Sequence, residues 1–277
     1  MFEYLNYGSV EASQKELSQA FHSAGPFEHI VVKDLIHLDK LEEVMQSFPD
    51  KDWPFWKSYS GDHAKHSKVC EAVTKLPLEV CHLLYELNSG PFLKILQNIT
   101  GIENLLPDPH FRGAGMHMTL PGGTLTPHID HHVYLEHPRY RQVNLIIYLT
   151  KDWSPQNQGY FELWDSSCKE IKKEVTPTFG NCLIFRTSDS SMHGFSKPVK
   201  VLNRCSISVF YYTATPDPHH YGGNSATFWQ PRTIKAEGWG DSLRLRLQNT
   251  MWSFARTFGK LSWHCQRRAM NLEREPR

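Results

Sequence analysis

Residues 143–149, 181–186 and 205–213 read VNLIIYL, NCLIFR and CSISVFYYT, and each is a short run of β-branched, aromatic and aliphatic residues. Runs of this length, bounded by turn-forming residues, are typical of strands that are buried in a sheet. From about Phe111 onward, Gly, Pro, Asn and Asp separate such segments every 8 to 12 residues. This spacing is typical of an antiparallel sandwich or barrel.

The same pattern extends across about 100 residues and predicts eight strands. They cover 113–120, 125–133, 143–149, 159–164, 168–175, 181–186, 191–199 and 205–213. Eight antiparallel strands favour a double-stranded β-helix, or jelly roll, for the core at residues 111–214. The fold class of the whole chain is therefore predicted to be α+β.

The segments on either side of this core are predicted to be mostly helical. Residues 1–110 form a helical support of the same domain, and residues 215–277 form a loop followed by a basic helical extension. Within the first segment, the apolar spacing predicts one strand and three helices, at 27–32, 38–48, 78–87 and 91–99. Residues 51–67 show no clear period and are assigned to a loop.

The composition argues against several classes of protein. A net charge of +1 gives no overall attraction to nucleic acid, so no nucleic-acid partner is expected. No apolar run approaches the roughly 20 residues of a membrane-spanning helix, and the N-terminus lacks the features of a signal peptide. The six cysteines contain no Cys-x-x-Cys spacing, which disfavours a zinc ribbon and a disulfide framework. A cytoplasmic location is the prediction.

The C-terminal extension leaves two kinds of contact open. From residue 232 to the end, ten Lys or Arg stand against four Asp or Glu. Residues 241–272 mix these cations with Leu, Met, Trp and Phe, as does an amphipathic helix that lies on an anionic membrane surface or on a partner. A helix packed on the sheet, or in the interface of a homodimer, explains the same pattern and is favoured.

The segment Thr126–His132, TPHIDHH, carries the clearest chemical signal among the 16 histidines. In an extended strand, His128 and Asp130 project to the same side, so that both side chains reach one ion. His193, in SSMHGF, is the candidate for a third ligand from a distant strand. Two imidazoles and one carboxylate leave open positions on an Fe(II) ion, although zinc accepts the same ligand types.

An arginine follows eleven residues after His193. Arg204 and Ser206 share one face of the predicted strand and offer a forked cation and a hydroxyl to a carboxylate. An arginine inside an apolar barrel is costly without an anionic partner. The pair therefore predicts a dicarboxylate co-substrate whose other end chelates the metal.

These motifs resemble those of the Fe(II)- and 2-oxoglutarate-dependent dioxygenases, in particular the prolyl 4-hydroxylase-like branch. The resemblance spans about 110 residues, from Leu105 to Thr213. Its segments are LPDPHFRGAG, LPGGTLTPHIDHH, RQVNLIIYLTKDW, GYFELWD, FGNCLIFRTSDSSMHGFSKPV and NRCSISVFYYT. One position departs from the pattern, because Leu120 stands where relatives can carry a polar residue that helps to hold 2-oxoglutarate.

The resemblance implies a reaction and a role for each site residue. The expected reaction hydroxylates an aliphatic C–H bond, consumes 2-oxoglutarate and O2, and forms succinate and CO2. Hydroxylation is expected because Asp130 fills the coordination position that halogenating relatives leave to a halide. The implied Fe(II) ligands and catalytic residues are His128, Asp130 and His193, and the implied 2-oxoglutarate contacts are Arg204, Ser206 and Tyr148, with Asn144 facing the same cavity.

The substrate and two rival functions stay open. His131 beside the motif, and Arg139 and Arg141 in the predicted loop EHPRYRQ, are candidates for contact with a small-molecule or peptidyl substrate. A solvated loop with salt bridges explains the two arginines without such a role. One rival function is a cupin-type metal enzyme that does not use 2-oxoglutarate. The other is an inactive jelly-roll scaffold whose basic tail binds a membrane or a partner.

Overall fold

The computed structural model describes residues 3–61, 63–134, 139–215 and 227–229, together with Thr250, Phe254 and Phe258. Its four longer helices are α1 (Tyr7–Ser23), α2 (Leu38–Ser47), α3 (Leu78–Leu87) and α4 (Gly90–Thr100). Its strands are β1 (His29–Val32), β2 (Lys57–Tyr59), β3 (Ala64–Cys70), β4 (Gly115–Ile129), β5 (Val133–Tyr134), β6 (Arg139–Tyr148), β7 (Phe161–Trp164), β8 (Ile171–Val175), β9 (Cys182–Arg186), β10 (His193–Phe195), β11 (Arg204–Thr213) and β12 (Phe228–Trp229).

The strands form one curled antiparallel sheet in the order β1-β9-β6-β11-β4-β10-β7-β8. The long strand β4 pairs with β11 through its first half and with β10 through its second half. Strand β3 pairs with β2 and β4, β5 pairs with β6, and β12 pairs with β4. This arrangement confirms the predicted jelly roll in an α+β chain.

The main apolar core lies between the helices and the outer face of the sheet. Its helical members are the apolar faces of α1 to α4, and its sheet members alternate along β4, β6 and β11 with residues that point to the other face. Sheet members include Met116, Met118, Leu145, Ile147, Ile207 and Val209. The inner face of the curled sheet carries polar side chains together with a smaller apolar cluster that includes Phe161 and Phe185.

The three predicted helices are present, and local signals explain the ends of α4. Ser89 caps it by accepting a hydrogen bond from the Phe92 N–H at 3.4 Å, and Pro91 lies in its first turn. Gly101, with a φ of 67°, ends it in the left-handed conformation that glycine adopts without strain.

The predicted strands at 113–120 and 125–133 are in fact one strand, β4. The Pro121–Gly123 segment, which predicts a turn, lies within the strand instead. The pairing of β3 with β4 shifts register opposite this segment, and Gly122 takes a φ of 86° there, which glycine adopts without strain. At Gly123 a Cβ atom would lie 2.3 Å from Thr119 Cγ2 and 2.8 Å from two main-chain oxygens, so only glycine fits. The strand ends at Ile129, and Asp130 is the first residue after it.

The assignment of residues 51–67 to a loop was also wrong. This segment contains β2 and the first part of β3, which pairs with β4 from Ala64 to Cys70. Every residue of β2 is exposed, and most of β3 is only partly buried. Such strands need no alternating apolar face, which is why the sequence pattern does not reveal them.

A buried carboxylate fixes the start of the chain to helix α3. Glu86 accepts hydrogen bonds from the main-chain N–H groups of Glu3, Tyr4 and Leu5 at 3.1, 2.9 and 3.1 Å. We expect Glu86→Ala to lower the free energy of unfolding by about 2–4 kcal/mol, because it leaves buried N–H groups without an acceptor. Urea denaturation measures this change, with Glu79→Ala in the same helix as the control. A loss below about 1 kcal/mol would contradict the anchoring role.

The predicted basic helix at 241–272 lies outside the described residues, apart from Thr250, Phe254 and Phe258, which are helical. Among the described residues, no helix combines the length and the hydropathy that crossing a membrane requires.

Candidate metal and co-substrate site

Strands β4 and β10 bring the predicted triad together on the inner face. His193 lies directly opposite His128 in the ladder, and their ring centroids are 4.4 Å apart. Asp130 Oδ1 lies 3.5 Å from His128 Nε2, and Asp130 Oδ2 lies 3.6 Å from His193 Nε2. One ligand atom from each residue lies within 4.8 Å of the other two. The three side chains can therefore hold one ion from one side.

Main-chain carbonyls orient both imidazoles. His128 Nδ1 donates to the Thr126 carbonyl at 2.9 Å, and His193 Nδ1 donates to the Ser191 carbonyl at 2.8 Å. This arrangement keeps the proton on Nδ1 and leaves the Nε2 lone pairs facing Asp130, as metal ligation requires. Burial lowers the pKa of His193 to about 4, so its imidazole is neutral at physiological pH.

Asp130 is held as a carboxylate by two residues of β6. Burial works to raise its pKa, but the Arg141 guanidinium and the neighbouring histidines hold that pKa well below its usual range. Asn144 Nδ2 donates to Asp130 Oδ2 at 2.6 Å, and Arg141 Nη1 lies 3.3 Å from the same oxygen. The guanidinium of Arg141 packs over the Phe210 ring, 3.6 Å from its centroid. Asp130 is thus ionised and fixed in orientation.

We expect Asn144→Leu to weaken Fe(II) affinity by about 10–100-fold, because losing a partner of a metal ligand typically has an effect of this size. A competitive titration against a chelator under anaerobic conditions measures the change. Gln142→Leu is the matched control, since Gln142 lies on the same strand and donates instead to Thr213 Oγ1 at 2.9 Å. Equal affinities in the two variants would contradict a role of Asn144 in orienting Asp130.

A cavity of about 360 Å³ extends from the triad to Arg204, and Ser206 also lines it. Arg204 lies between the rings of Tyr148 and Phe195, 5.0 and 4.6 Å from their centroids, and its Nε donates to the Gly159 carbonyl at 3.2 Å. Arg204 Nη2 and the Tyr148 hydroxyl are both buried and interact with each other, but neither has a partner in hydrogen-bond geometry among the described residues. Burial lowers the pKa of Arg204 and raises that of Tyr148 to about 12.

These orphaned groups fit a carboxylate. A buried guanidinium with no ion pair in the described part of the chain is costly, and a carboxylate would satisfy its fork and accept from the Tyr148 hydroxyl. Ser206 lies directly opposite Tyr148 in the β11–β6 ladder and adds a hydroxyl beside it. The cavity therefore has a candidate metal-binding end at the triad and a candidate carboxylate-binding end at Arg204.

The structure brings two of the three substrate candidates to this cavity. His131 and Arg141 line it, and Arg141 Nη2 lies 3.0 Å from His131 Nε2. The charge of Arg141, together with burial, lowers the pKa of His131 to about 3, so its ring is neutral. Arg139 is not among the lining residues, and its Nη1 donates to the Pro107 carbonyl at 3.4 Å. Both arginines begin strand β6, which corrects their assignment to a loop.

Sequence reasoning missed Trp229 as a cavity residue. Strand β12 pairs with the end of β4, where Trp229 lies opposite His128. The Trp229 ring stacks on His63 with centroids 4.8 Å apart, and its centroid lies 4.6 Å from that of His128. No local pattern indicated this contact, because the short strand follows a segment rich in Pro, His and Gly that is typical of a loop.

The strand-rich core of the chain is similar to a known protein family. Residues 114–212 match the model of the 2OG-Fe(II) oxygenase superfamily. The core is therefore similar to the 2OG-Fe(II) oxygenase superfamily. The matched residues include the whole triad and Arg204, so the predicted resemblance is confirmed. No curated protein sequence matches the chain significantly.

Solved structures of 2OG-Fe(II) oxygenases share the fold at low sequence identity. A prolyl hydroxylase from Trichoplax adhaerens, in complex with a hypoxia inducible factor peptide, has a TM-score of 0.56 at 15% identity, covering 74% of this chain and 92% of its own. A prolyl 4-hydroxylase from Phytophthora capsici has a TM-score of 0.53 at 18% identity, covering 87% and 76%. HygX from Streptomyces hygroscopicus, with nickel and 2-oxoglutarate bound, has a TM-score of 0.50 at 10% identity, covering 82% and 92%.

Proposed function

We propose that this 2OG-Fe(II) oxygenase hydroxylates an aliphatic C–H bond with His128, Asp130 and His193 as its Fe(II) ligands. Arg204, with Tyr148 and Ser206, binds the distal carboxylate of 2-oxoglutarate. The observation that carries this proposal is that one cavity has a possible metal site at one end and a buried cation at the other. A His-Asp-His cluster lies at one end, and a buried arginine with no counter-ion among the described residues lies at the other.

The donor set fits Fe(II). Two neutral imidazole nitrogens and one carboxylate on one side of an ion are the ligand set of non-haem Fe(II) oxygenases. When bound, Fe(II) with 2-oxoglutarate and O2 supplies the oxidising power of the reaction, and 2-oxoglutarate leaves as succinate and CO2. The surrounding residues fix the protonation of the three ligands. Asp130 stays ionised beside Arg141, and the two histidines keep their protons on Nδ1.

Arg204 supports the 2-oxoglutarate assignment over the cupin-type rival. A metal enzyme that does not use a dicarboxylate has no need of a buried guanidinium at the far end of its cavity. The scaffold rival, in turn, does not explain why the imidazoles and Asp130 converge with their lone pairs facing one point. The rings of Phe161, Phe185 and Phe195 line the same cavity and exclude water around the reacting groups.

The substrate side of the cavity contains His131 and Arg141, which we assign to contact with a small-molecule or peptidyl substrate. The role that the sequence suggests for Arg139 stays a prediction. A homodimer, and a membrane-surface contact of the C-terminal extension, also stay predictions. The proposed cytoplasmic location is supported by the cysteines, since Cys70, Cys81, Cys168, Cys182 and Cys205 are all free thiols in the described structure.

A substrate panel tests the proposed function directly. Purified protein is incubated with Fe(II), 2-oxoglutarate, O2 and candidate peptides, amino acids and other small molecules. We expect one class to stimulate succinate release above the uncoupled background and to gain one oxygen atom by mass spectrometry. Failure of the protein to bind 2-oxoglutarate in the presence of Fe(II) would overturn the proposal.

A further inference from the structure

His117 belongs to the same inner-face layer as the proposed carboxylate-binding residues. It lies directly opposite Ser206 in the β4–β11 ladder, and Ser206 lies opposite Tyr148 in the β11–β6 ladder. Directly opposite residues of antiparallel strands point to the same face of a sheet. A row across three strands is therefore formed by His117, Ser206 and Tyr148. Arg204 lies on β11 two residues before Ser206, and His117 lines the cavity.

The His117 ring has one satisfied and one unsatisfied nitrogen. Nε2 is buried and has no hydrogen-bond partner in the described part of the chain. The main chain of Gly113 and Ala114 hydrogen-bonds the ring, which leaves Nδ1 as the bonded nitrogen. Carbonyl oxygens only accept, so Nδ1 carries the proton. Burial, followed by the charge of Arg204, lowers the pKa of His117 to about 4. The free protein thus has a neutral imidazole beside the cavity, and its buried Nε2 lone pair has no partner among the described residues.

A neutral imidazole in this orientation conflicts with a bound dicarboxylate. 2-Oxoglutarate is a dianion with only acceptor oxygens, and the Nε2 lone pair would repel them. The dianion also neutralises the charge of Arg204, which is one cause of the low pKa of His117. Both effects favour a proton on Nε2 once 2-oxoglutarate is bound.

We propose that His117 is a further 2-oxoglutarate-binding residue, which takes up a proton as the co-substrate binds and then donates a hydrogen bond from Nε2 to it. This inference rests on the proposed function.

The other charged groups near His117 affect its protonation in opposite directions. Arg204 on β11 opposes its protonation and Asp130 favours it. On β3, uncharged Val69 lies opposite His117, and Lys68 beside Val69 lines the same cavity.

The coupling between proton uptake and 2-oxoglutarate binding determines how the affinity for 2-oxoglutarate changes with pH. Because bound 2-oxoglutarate raises the pKa of His117 above its value in the free protein, binding takes up a proton at pH values between the two. Affinity for 2-oxoglutarate is then highest at the acidic side of this window and falls as pH rises towards the pKa of the complex.

Anaerobic calorimetric titration of the Fe(II)-loaded protein with 2-oxoglutarate tests the proposal. Titration at pH 6 in two buffers with different ionisation enthalpies gives the number of protons taken up. We expect proton uptake in the wild type and in the control variant His29→Gln. In the wild type, the buried His29 ring also donates from Nδ1 to a main-chain carbonyl, that of Phe27, at 2.8 Å, but His29 does not line the cavity. His117→Gln retains a neutral donor and should bind 2-oxoglutarate within a few-fold of wild type with less proton uptake.

A second variant, His117→Phe, removes both the donor and the proton. We expect its affinity for 2-oxoglutarate to fall by about 10–100-fold, the size expected for a lost hydrogen bond to a charged group. Unchanged proton uptake in His117→Gln, or wild-type affinity in His117→Phe, would overturn the role of His117 while the proposed function stands. Absence of 2-oxoglutarate binding in the wild type would instead overturn the proposed function itself.

Discussion

Arg204→Met is expected to abolish 2-oxoglutarate-dependent turnover and, at the same time, to raise the free energy of unfolding of the ligand-free protein. Removing one partner of a buried, hydrogen-bonded charge pair costs about 2–5 kcal/mol, so 2-oxoglutarate affinity should fall by about 30-fold to several thousand-fold. In the ligand-free protein, Arg204 is a buried cation without an ion pair among the described residues, and its Nη2 makes no hydrogen bond. Methionine removes this desolvation cost and should stabilise the fold by about 1 kcal/mol or more.

Arg186→Met is the matched control for this variant. Arg186 is also a buried arginine of the sheet, but it forms an ion pair with Glu28 and donates from Nη2 to the Thr100 carbonyl at 3.3 Å. Breaking a buried ion pair destabilises a protein by about 3–5 kcal/mol, so this variant should lose stability while retaining 2-oxoglutarate binding where it remains folded. Chemical denaturation and co-substrate binding are measured on both variants. Loss of stability in Arg204→Met with wild-type affinity would contradict the assignment.

His193→Ala is expected to remove stoichiometric Fe(II) binding and to reduce turnover by more than about 100-fold. The variant loses one of three converging ligands, which is a larger change than the 10–100-fold effect of losing a residue that only orients a ligand. Fe(II) titration and succinate release measure the two effects, with His29→Ala as the control for loss of a buried imidazole. Wild-type Fe(II) binding and turnover in His193→Ala would contradict the assignment of His193 as an Fe(II) ligand.

Two members of the triad were predictable from sequence because a single strand rule connects them. The two-residue spacing of His128 and Asp130 places both side chains on one side of an extended chain, and this holds although Asp130 is the first residue after β4. His193 followed from the need for a third ligand, and the β10–β4 register places it opposite His128. The spacing of Arg204 and Ser206 on one strand face likewise anticipated their shared cavity.

The remaining features depend on pairing between distant strands, which one sequence does not reveal. Arg141 looked like a loop residue because the start of β6 is polar, yet it is buried against Phe210 and paired with Asp130. Leu120 is the position that departs from the family pattern, but its partly buried side chain packs against the main apolar core. His117 lies on the inner face instead, and only the register of β4 against β11 shows it.

Anaerobic binding of 2-oxoglutarate with and without Fe(II), compared among wild type, His193→Ala and Arg204→Met, tests the central claim most directly. The two-ended cavity predicts that wild type binds 2-oxoglutarate tightly only with Fe(II). Loss of either end should weaken binding by at least about 30-fold. Binding that is independent of Fe(II) and equal in the three proteins would contradict the account.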